Sequence, residues 1–302
     1  MSVTFIEGKA GSGKTAYCLD KIQENINNGV KSVLIVPEQI SLSFEKITVK
    51  KFGFLGNLVD VLSFNRLFYS LSKASDMEER SYVSKVGKTI LMNRAVSKAS
   101  SKLVVYKTSA KSPDFSGQML KTVTELKRHG VTPEGLLKAS ENISEANVKS
   151  KIEDICRIYE IYNKLVFERG ADSDENLSML SILIKNSSFV KETEFFIDCF
   201  SSFTGEELAV IKTLTENAKK VYITLKMGKG YIFESVERTK EKISDFAKTK
   251  TVLLKENKKH TGELLHLAEN YPLIMPSVYN KEPDKISIFY SENPLNECES
   301  LM

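Results

Sequence analysis

The chain has 302 residues, a length for one large domain or two smaller ones. With 41% hydrophobic residues, 27% charged residues and a net charge of +4, it reads as an ordinary globular protein, too nearly neutral for charge alone to mark a nucleic-acid binder. No apolar run approaches the roughly 20 residues of a membrane helix, and no basic-then-apolar leader opens the chain. Cys18, Cys156, Cys199 and Cys298 are scattered, with no C-x-x-C spacing for zinc or iron–sulfur ligation, as suits a reducing cytoplasm. His129, His260 and His266 do not cluster and receive no ligand role.

In chain order, Val3 to Glu7 is a short β-rich run, followed by a glycine loop and a helical pattern from Lys14 to about Asn27. Asn27 to Gly29 end that helix with residues that tolerate positive φ. Ser32 to Pro37 ("SVLIVP") is an almost continuous apolar run, the pattern of a fully buried parallel strand. Together these make a βαβ unit. Leu58 to Phe64 supplies another strand, leading into a helix start at "NRLFYSL".

From about Ser70 to Lys191 helical periodicity dominates. Ile155, Tyr159, Tyr162 and Val166 form an apolar stripe at steps of four, three and four, closed by Gly170. The tyrosines suit core packing better than a base-stacking platform. A second helix stops at Gly130, and Thr132–Pro133–Glu134 starts the next. Strand character returns at Thr193 to Phe200, then a helix opened by a Thr204/Glu207 capping box, then a strand at Lys219 to Leu225. Lys240 to His260 is lysine-rich, with 7 Lys against 3 acids. Near the end, Ile286 to Tyr290 is strand-like, and a turn and the start of an acidic helical segment follow, the pattern of a fragment of a longer protein. From Lys85 to Lys151 there are 13 Lys and Arg against 5 acids; from Ile152 to Val210 there are 5 against 12. This fits one face toward a polyanion, and equally two solvated helix faces.

The expected architecture is α/β. A parallel sheet of the P-loop NTPase type, formed by residues 1–70 and 192–302, is interrupted by a mainly helical insertion at 71–191. Gly8-Lys9-Ala10-Gly11-Ser12-Gly13-Lys14-Thr15 fits G-x-x-x-x-G-K-[ST] in full, with a strand before it and a helix after. The glycines let backbone N–H groups face phosphate oxygens. Lys14 reaches the β- and γ-phosphates of ATP, the Thr15 hydroxyl is a Mg²⁺ ligand, and the helix N-terminus favours anions. Such a site needs a second acid ending a buried apolar strand, and Asp198, closing "FFID", is the candidate. Motors often follow that aspartate with a glutamate; here Cys199 follows. Glu206 and Glu207 read as partners of a helix N-terminus. The residues support nucleotide binding more strongly than hydrolysis.

Several stretches carry a family resemblance: "GKAGSGKT", "VLIVPEQISLSFEK", "VDVLSFNRLFY", "LKRHGVTPEGLL" and "FFIDCFSSFTGEEL". In order and spacing, over nearly the whole chain, they resemble the N-terminal, helicase-like portion of AddB, the B subunits of bacterial AddAB ATP-dependent helicase/deoxyribonucleases. The resemblance implies a RecA-like, superfamily 1 helicase-type core whose insertion matches subdomain 1B. It implies ATP and Mg²⁺ held by Gly11, Gly13, Lys14 and Thr15, with Asp198 assisting the metal. It places Pro37, Glu38 and Gln39, with Ser63, Phe64, Asn65 and Arg66, on loops facing single-stranded DNA. It further implies an AddA partner, DNA ends as substrate in recombinational repair, and a nuclease and iron–sulfur cluster in a C-terminal part outside this chain. The chain departs from active motors in two ways. Almost no residues precede the loop to supply an adenine-reading glutamine, and Cys199 stands where related chains commonly have glycine.

Two other function classes compete. A small-molecule kinase would use the same loop, but no arginine-rich lid is recognisable. A non-hydrolysing scaffold stabilised by ATP overlaps with a helicase subunit whose motor is silent.

Overall fold

The computed structural model describes residues 2–75, 82–170, 172, 175–228, 230–271 and 273–301. The chain first forms β1 (Ser2–Gly8), α1 (Lys14–Asn27), β2 (Lys31–Ile35), α2 (Ser41–Phe52), β3 (Val59–Leu62) and α3 (Phe64–Ala74). Helices α4 (Lys85–Ala99), α5 (Pro113–Arg128), α6 (Pro133–Ser140), α7 (Ala146–Arg169), α8 (Asn176–Asn186) and α9 (Ser188–Glu192) follow. It then returns to β4 (Thr193–Ile197), α10 (Gly205–Asn217), β5 (Lys220–Lys226), α11 (Glu234–Ser244) and β6 (Lys248–Leu254), and ends in α12 (Gly262–Asn270) and α13 (Pro294–Ser300).

The strands form one six-stranded sheet, every pairing parallel, in the order β3-β2-β4-β5-β1-β6. Because side chains alternate along a strand, the inner strands feed two cores. Val3, Phe5, Val33, Ile35, Phe195, Ile197, Val221 and Ile223 meet α3, α8, α10 and α11 on one face. Ile6, Leu34, Val36, Val59, Val61, Phe196 and Tyr222 meet α1 and α2 on the other. Burial on both faces explains why these strands read as apolar runs rather than alternating patterns.

Helices α4, α5 and α7 enclose a separate core, with Leu91, Met92, Val96, Met119, Val123, Ile158 and Leu165 inside. Tyr159, Tyr162 and Val166 are buried in it and Ile155 packs against it, so this stripe is a packing surface. Helices α8 and α9, although part of the long helical stretch, give Leu180, Leu183, Ile184 and Val190 to the sheet's core. The Ile286–Tyr290 segment differs from expectation: it is not a strand. Ile288 is 84% and Tyr290 97% exposed, so this apolar run meets no sheet edge that would hydrogen-bond it.

The turn between α5 and α6 touches the start of α10 at Gly205. A Cβ there would sit 2.6 Å from the His129 carbonyl oxygen, a backbone contact that cannot swing away. Gly205→Val is expected to destabilise the protein by about 1–3 kcal/mol. Gly117→Ala, in open space on α5, is expected to stabilise by about 0.4–1 kcal/mol. Urea unfolding of both variants measures the contrast.

Candidate nucleotide and nucleic-acid sites

The glycine loop leaves the carboxyl end of β1 and enters α1 at Lys14. Gly13, the residue before the helix, adopts φ 87° and ψ 25°, a left-handed conformation that a side chain would strain. Helix α1 has no side-chain cap and no acid in its first turn. Its leading N–H groups are therefore capped by no side chain of the helix itself, the arrangement an external phosphate would complete. The Lys14 ammonium folds back over the loop, donating to the carbonyls of Gly8 at 2.9 Å and Lys9 at 2.8 Å. Burial lowers the Lys14 pKa, and the nearby Asp198 charge opposes that shift.

The structure brings Asp198 to this loop across 183 residues of sequence. Thr15 Oγ1 donates to Asp198 Oδ2 at 2.7 Å. Asp198 is 2% exposed and tightly held: its Oδ1 accepts from Thr224 Oγ1 at 2.5 Å and from the Cys199 N–H at 2.8 Å. Its own N–H donates to the Ile35 carbonyl at 2.9 Å, extending the β2–β4 pairing by one step. Strand β5 lies between β1 and β4, which is how Thr224 comes to sit beside Asp198. One hydroxyl and one carboxylate suit a small hard cation that takes its other ligands from water and phosphate. Among the described residues, no group of three or more His, Cys, Asp and Glu side chains offers a self-sufficient metal site.

Both neighbouring glutamates are engaged by groups outside the glycine loop. Glu207 completes the capping box, accepting from the Thr204 N–H at 2.8 Å, and Glu206 accepts from Ser178 Oγ at 3.0 Å. Desolvation, then the adjacent Asp198 charge, push the Cys199 thiol up to about 11, so it stays protonated at neutral pH.

The other two predicted loops lie side by side after the neighbouring strands β2 and β3. Glu38 and Gln39 are exposed and Pro37 is half-buried. Ser63 caps α3, accepting from the Arg66 N–H at 3.2 Å, and its hydroxyl donates to the Glu38 carboxylate. Asn65 is exposed, and Arg66 pairs with Glu45 at 2.6 Å. Phe64 lies in the core, its ring 5.5 Å from Phe200, which in turn sits 5.1 Å from Phe203. This aromatic run joins the α3 start to the segment just after Asp198.

A sequence model of the family described as "ADDB, N-terminal" matches residues 5–273. The chain belongs to that AddB family. It is 30% identical over 325 residues to the B subunit of the ATP-dependent helicase/deoxyribonuclease of Caldanaerobacter subterraneus subsp. tengcongensis, covering 100% of this chain and 28% of that protein. The identically named protein of Clostridium novyi is 32% identical over 320 residues, with the same coverage. That of Clostridium kluyveri is 34% identical over 230 residues, covering 75% of this chain and 20% of that protein. The chain thus spans about 28% of the length of AddB relatives matched along its whole extent. Among the described residues, no helix is long and apolar enough to cross a membrane.

In this AddB-family chain, Cys199 is the one non-glycine described residue with positive φ, at 65°. Cys199→Gly is expected to stabilise by about 1 kcal/mol, read as a raised Tm, by relieving a conformation that costs a side chain.

Two contributors were missed by sequence reasoning. Thr224 could have been noticed as a polar residue inside the apolar run of β5. The segment Asn257–His260, which lies on the glycine loop, carried no signal beyond its lysines.

Proposed function

We propose that this chain is the ATP-binding N-terminal module of the B subunit of a helicase–nuclease that processes double-strand DNA ends for recombinational repair. In this reading the sheet is a RecA-like P-loop core of the superfamily 1 helicase type, from residues 1–70 and 192–302. Residues 71–191 are its 1B-like insertion. The observation that carries the reading is the Thr15–Asp198 contact, a phosphate-loop hydroxyl against a buried strand-end carboxylate, in a member of the AddB family. Gly8 to Thr15 cradle the phosphates, Lys14 neutralises them, and Thr15 and Asp198 hold Mg²⁺.

Single-stranded DNA runs across the loops of Pro37, Glu38 and Gln39 and of Ser63, Asn65 and Arg66, at the carboxyl ends of the strands. AddA associates with this chain in the full-length complex, in the cytoplasm, and performs most translocation. The motor here is weak or silent, because Cys199 occupies the place of a water-orienting acid and its thiol stays protonated. Any nuclease or iron–sulfur chemistry belongs to parts of the full-length protein outside this chain.

Filter binding of single-stranded DNA across a salt series tests the DNA half of the proposal. Binding at low salt, with log K falling linearly against log salt, is the expected result. Absence of binding at low salt would overturn it.

A further inference from the structure

The loop that follows edge strand β6 folds back onto the glycine loop. The Lys258 N–H donates to the Gly11 carbonyl at 2.8 Å, and Asn257 Nδ2 donates to the Ala10 carbonyl at 3.0 Å. Asn257 also shapes the strap itself: its Oδ1 accepts from the backbone N–H groups of Lys259 at 3.0 Å and His260 at 2.8 Å. The strap is therefore tied to the nucleotide loop by two bonds and braced by two more.

These anchors place one side chain in a particular way. The Lys258 stem runs beside Gly13, with its Cδ 3.3 Å and Cε 3.9 Å from where a Gly13 Cβ would be. Gly13 is the residue immediately before the uncapped first turn of α1. Two other lysines of the loop are already engaged: Lys9 pairs with Glu269 at 2.9 Å, and Lys14 is bonded to two loop carbonyls. Lys258 is exposed and takes part in none of the ion pairs defined among the described residues.

We propose that Lys258 is a second phosphate-contacting cation of this site, delivered by the strap, for nucleoside di- and triphosphates. The inference rests on the nucleotide-binding reading of the glycine loop. Asn257 is a positioning residue, since it holds the strap rather than the ligand. The α1 N-terminus supplies N–H donors from below, Lys14 supplies charge from inside the loop, and Lys258 supplies charge from its outer rim. A cation in the same chain would do part of what a second motor domain does when it reaches toward the terminal phosphate.

Competition binding with ATP, ADP and AMP tests this on wild type, Lys258→Ala and Lys258→Arg. The expected result is about a tenfold loss for ATP and ADP in Lys258→Ala, a change within about twofold for AMP, and recovery in Lys258→Arg. The Tm without nucleotide should match wild type. If wild type binds ATP and Lys258→Ala binds it within twofold, the inference falls while the nucleotide reading stands. An equal loss for all three nucleotides would also overturn it, because it would mark a loosened loop rather than a lost phosphate contact. If wild type binds none of the three, both readings fall together.

Discussion

Lys14→Ala is expected to reduce ATP affinity by about a hundredfold or more while leaving the protein folded. Each hydrogen bond from a charged group contributes about 1.5–3 kcal/mol, and an ammonium between two phosphates makes more than one. At about 1.4 kcal/mol per tenfold, the loss reaches two decades or more. The fold should survive, because the bonds Lys14 makes in the protein are to two carbonyls of its own loop, not to the sheet's core. Titration with a fluorescent ATP analogue, alongside a thermal melt, separates these effects. Affinity within tenfold of wild type would mean that phosphates do not sit in this loop. Lys14→Arg is expected to bind poorly as well, since a planar guanidinium does not fit a cradle shaped for a point charge.

The second large effect lies away from the glycine loop. Asp172, whose side chain is fully buried, accepts from Lys88 of α4 at 2.5 Å and from Lys127 of α5 at 2.7 Å. Lys127 also pairs with Glu175 at 2.8 Å and lies over the Tyr162 ring at 5.5 Å. Burial alone would lower the Lys127 pKa; Asp172 and Glu175 outweigh it, and the net shift is upward. Asp172→Ala removes the carboxylate shared by both ammoniums and is expected to cost about 3–5 kcal/mol. Hydrogen exchange should show protection lost first in α4, α5 and α7, with β1, β2, β4 and β5 retained. A loss below about 1 kcal/mol would show that the network is dispensable. The pH dependence has a definite sign. A lysine whose folded pKa is raised contributes its full stability below its ordinary value of 10.5, and this is lost as pH rises through the higher folded value. Wild type should therefore lose stability in the alkaline range above 10.5 more steeply than Asp172→Ala.

Local features were legible wherever side-chain chemistry sets the backbone. The boundaries of α1 follow from the glycine loop and the Asn–Gly stop, and the Thr204–Glu207 box is present with both of its bonds. The Tyr159/Tyr162 stripe was readable as core because periodicity reports burial. Strand order was not readable: parallel strands buried on both faces look alike, so nothing in "VTFIE" or "SVLIV" says which neighbour each will take. Strand β6 was hidden for the opposite reason. At the sheet edge, Lys248, Thr249, Lys250 and Thr251 are exposed, so the segment reads as a charged loop. Thr15 and Asp198 could each be singled out, from the motif and from the acid that ends a buried apolar run, but their direct bond, Thr224 and the Asn257–His260 strap come from sequence-distant segments brought together by the sheet.

The packing of α3 against α8 has a consequence for how this architecture can be rearranged. The chain leaves the sheet's layer through α3 and re-enters it through α8, and the two helices touch, with Asn176 Nδ2 donating to Tyr69 Oη at 3.5 Å. The exit and entry points are therefore neighbours, and the helices between them enclose a core of their own. A cassette with adjoining ends can be lengthened, exchanged or excised while the register of the six strands stays unchanged. Evolution, or a designer, can thus retool the outer arm of this protein while leaving its six-stranded sheet intact.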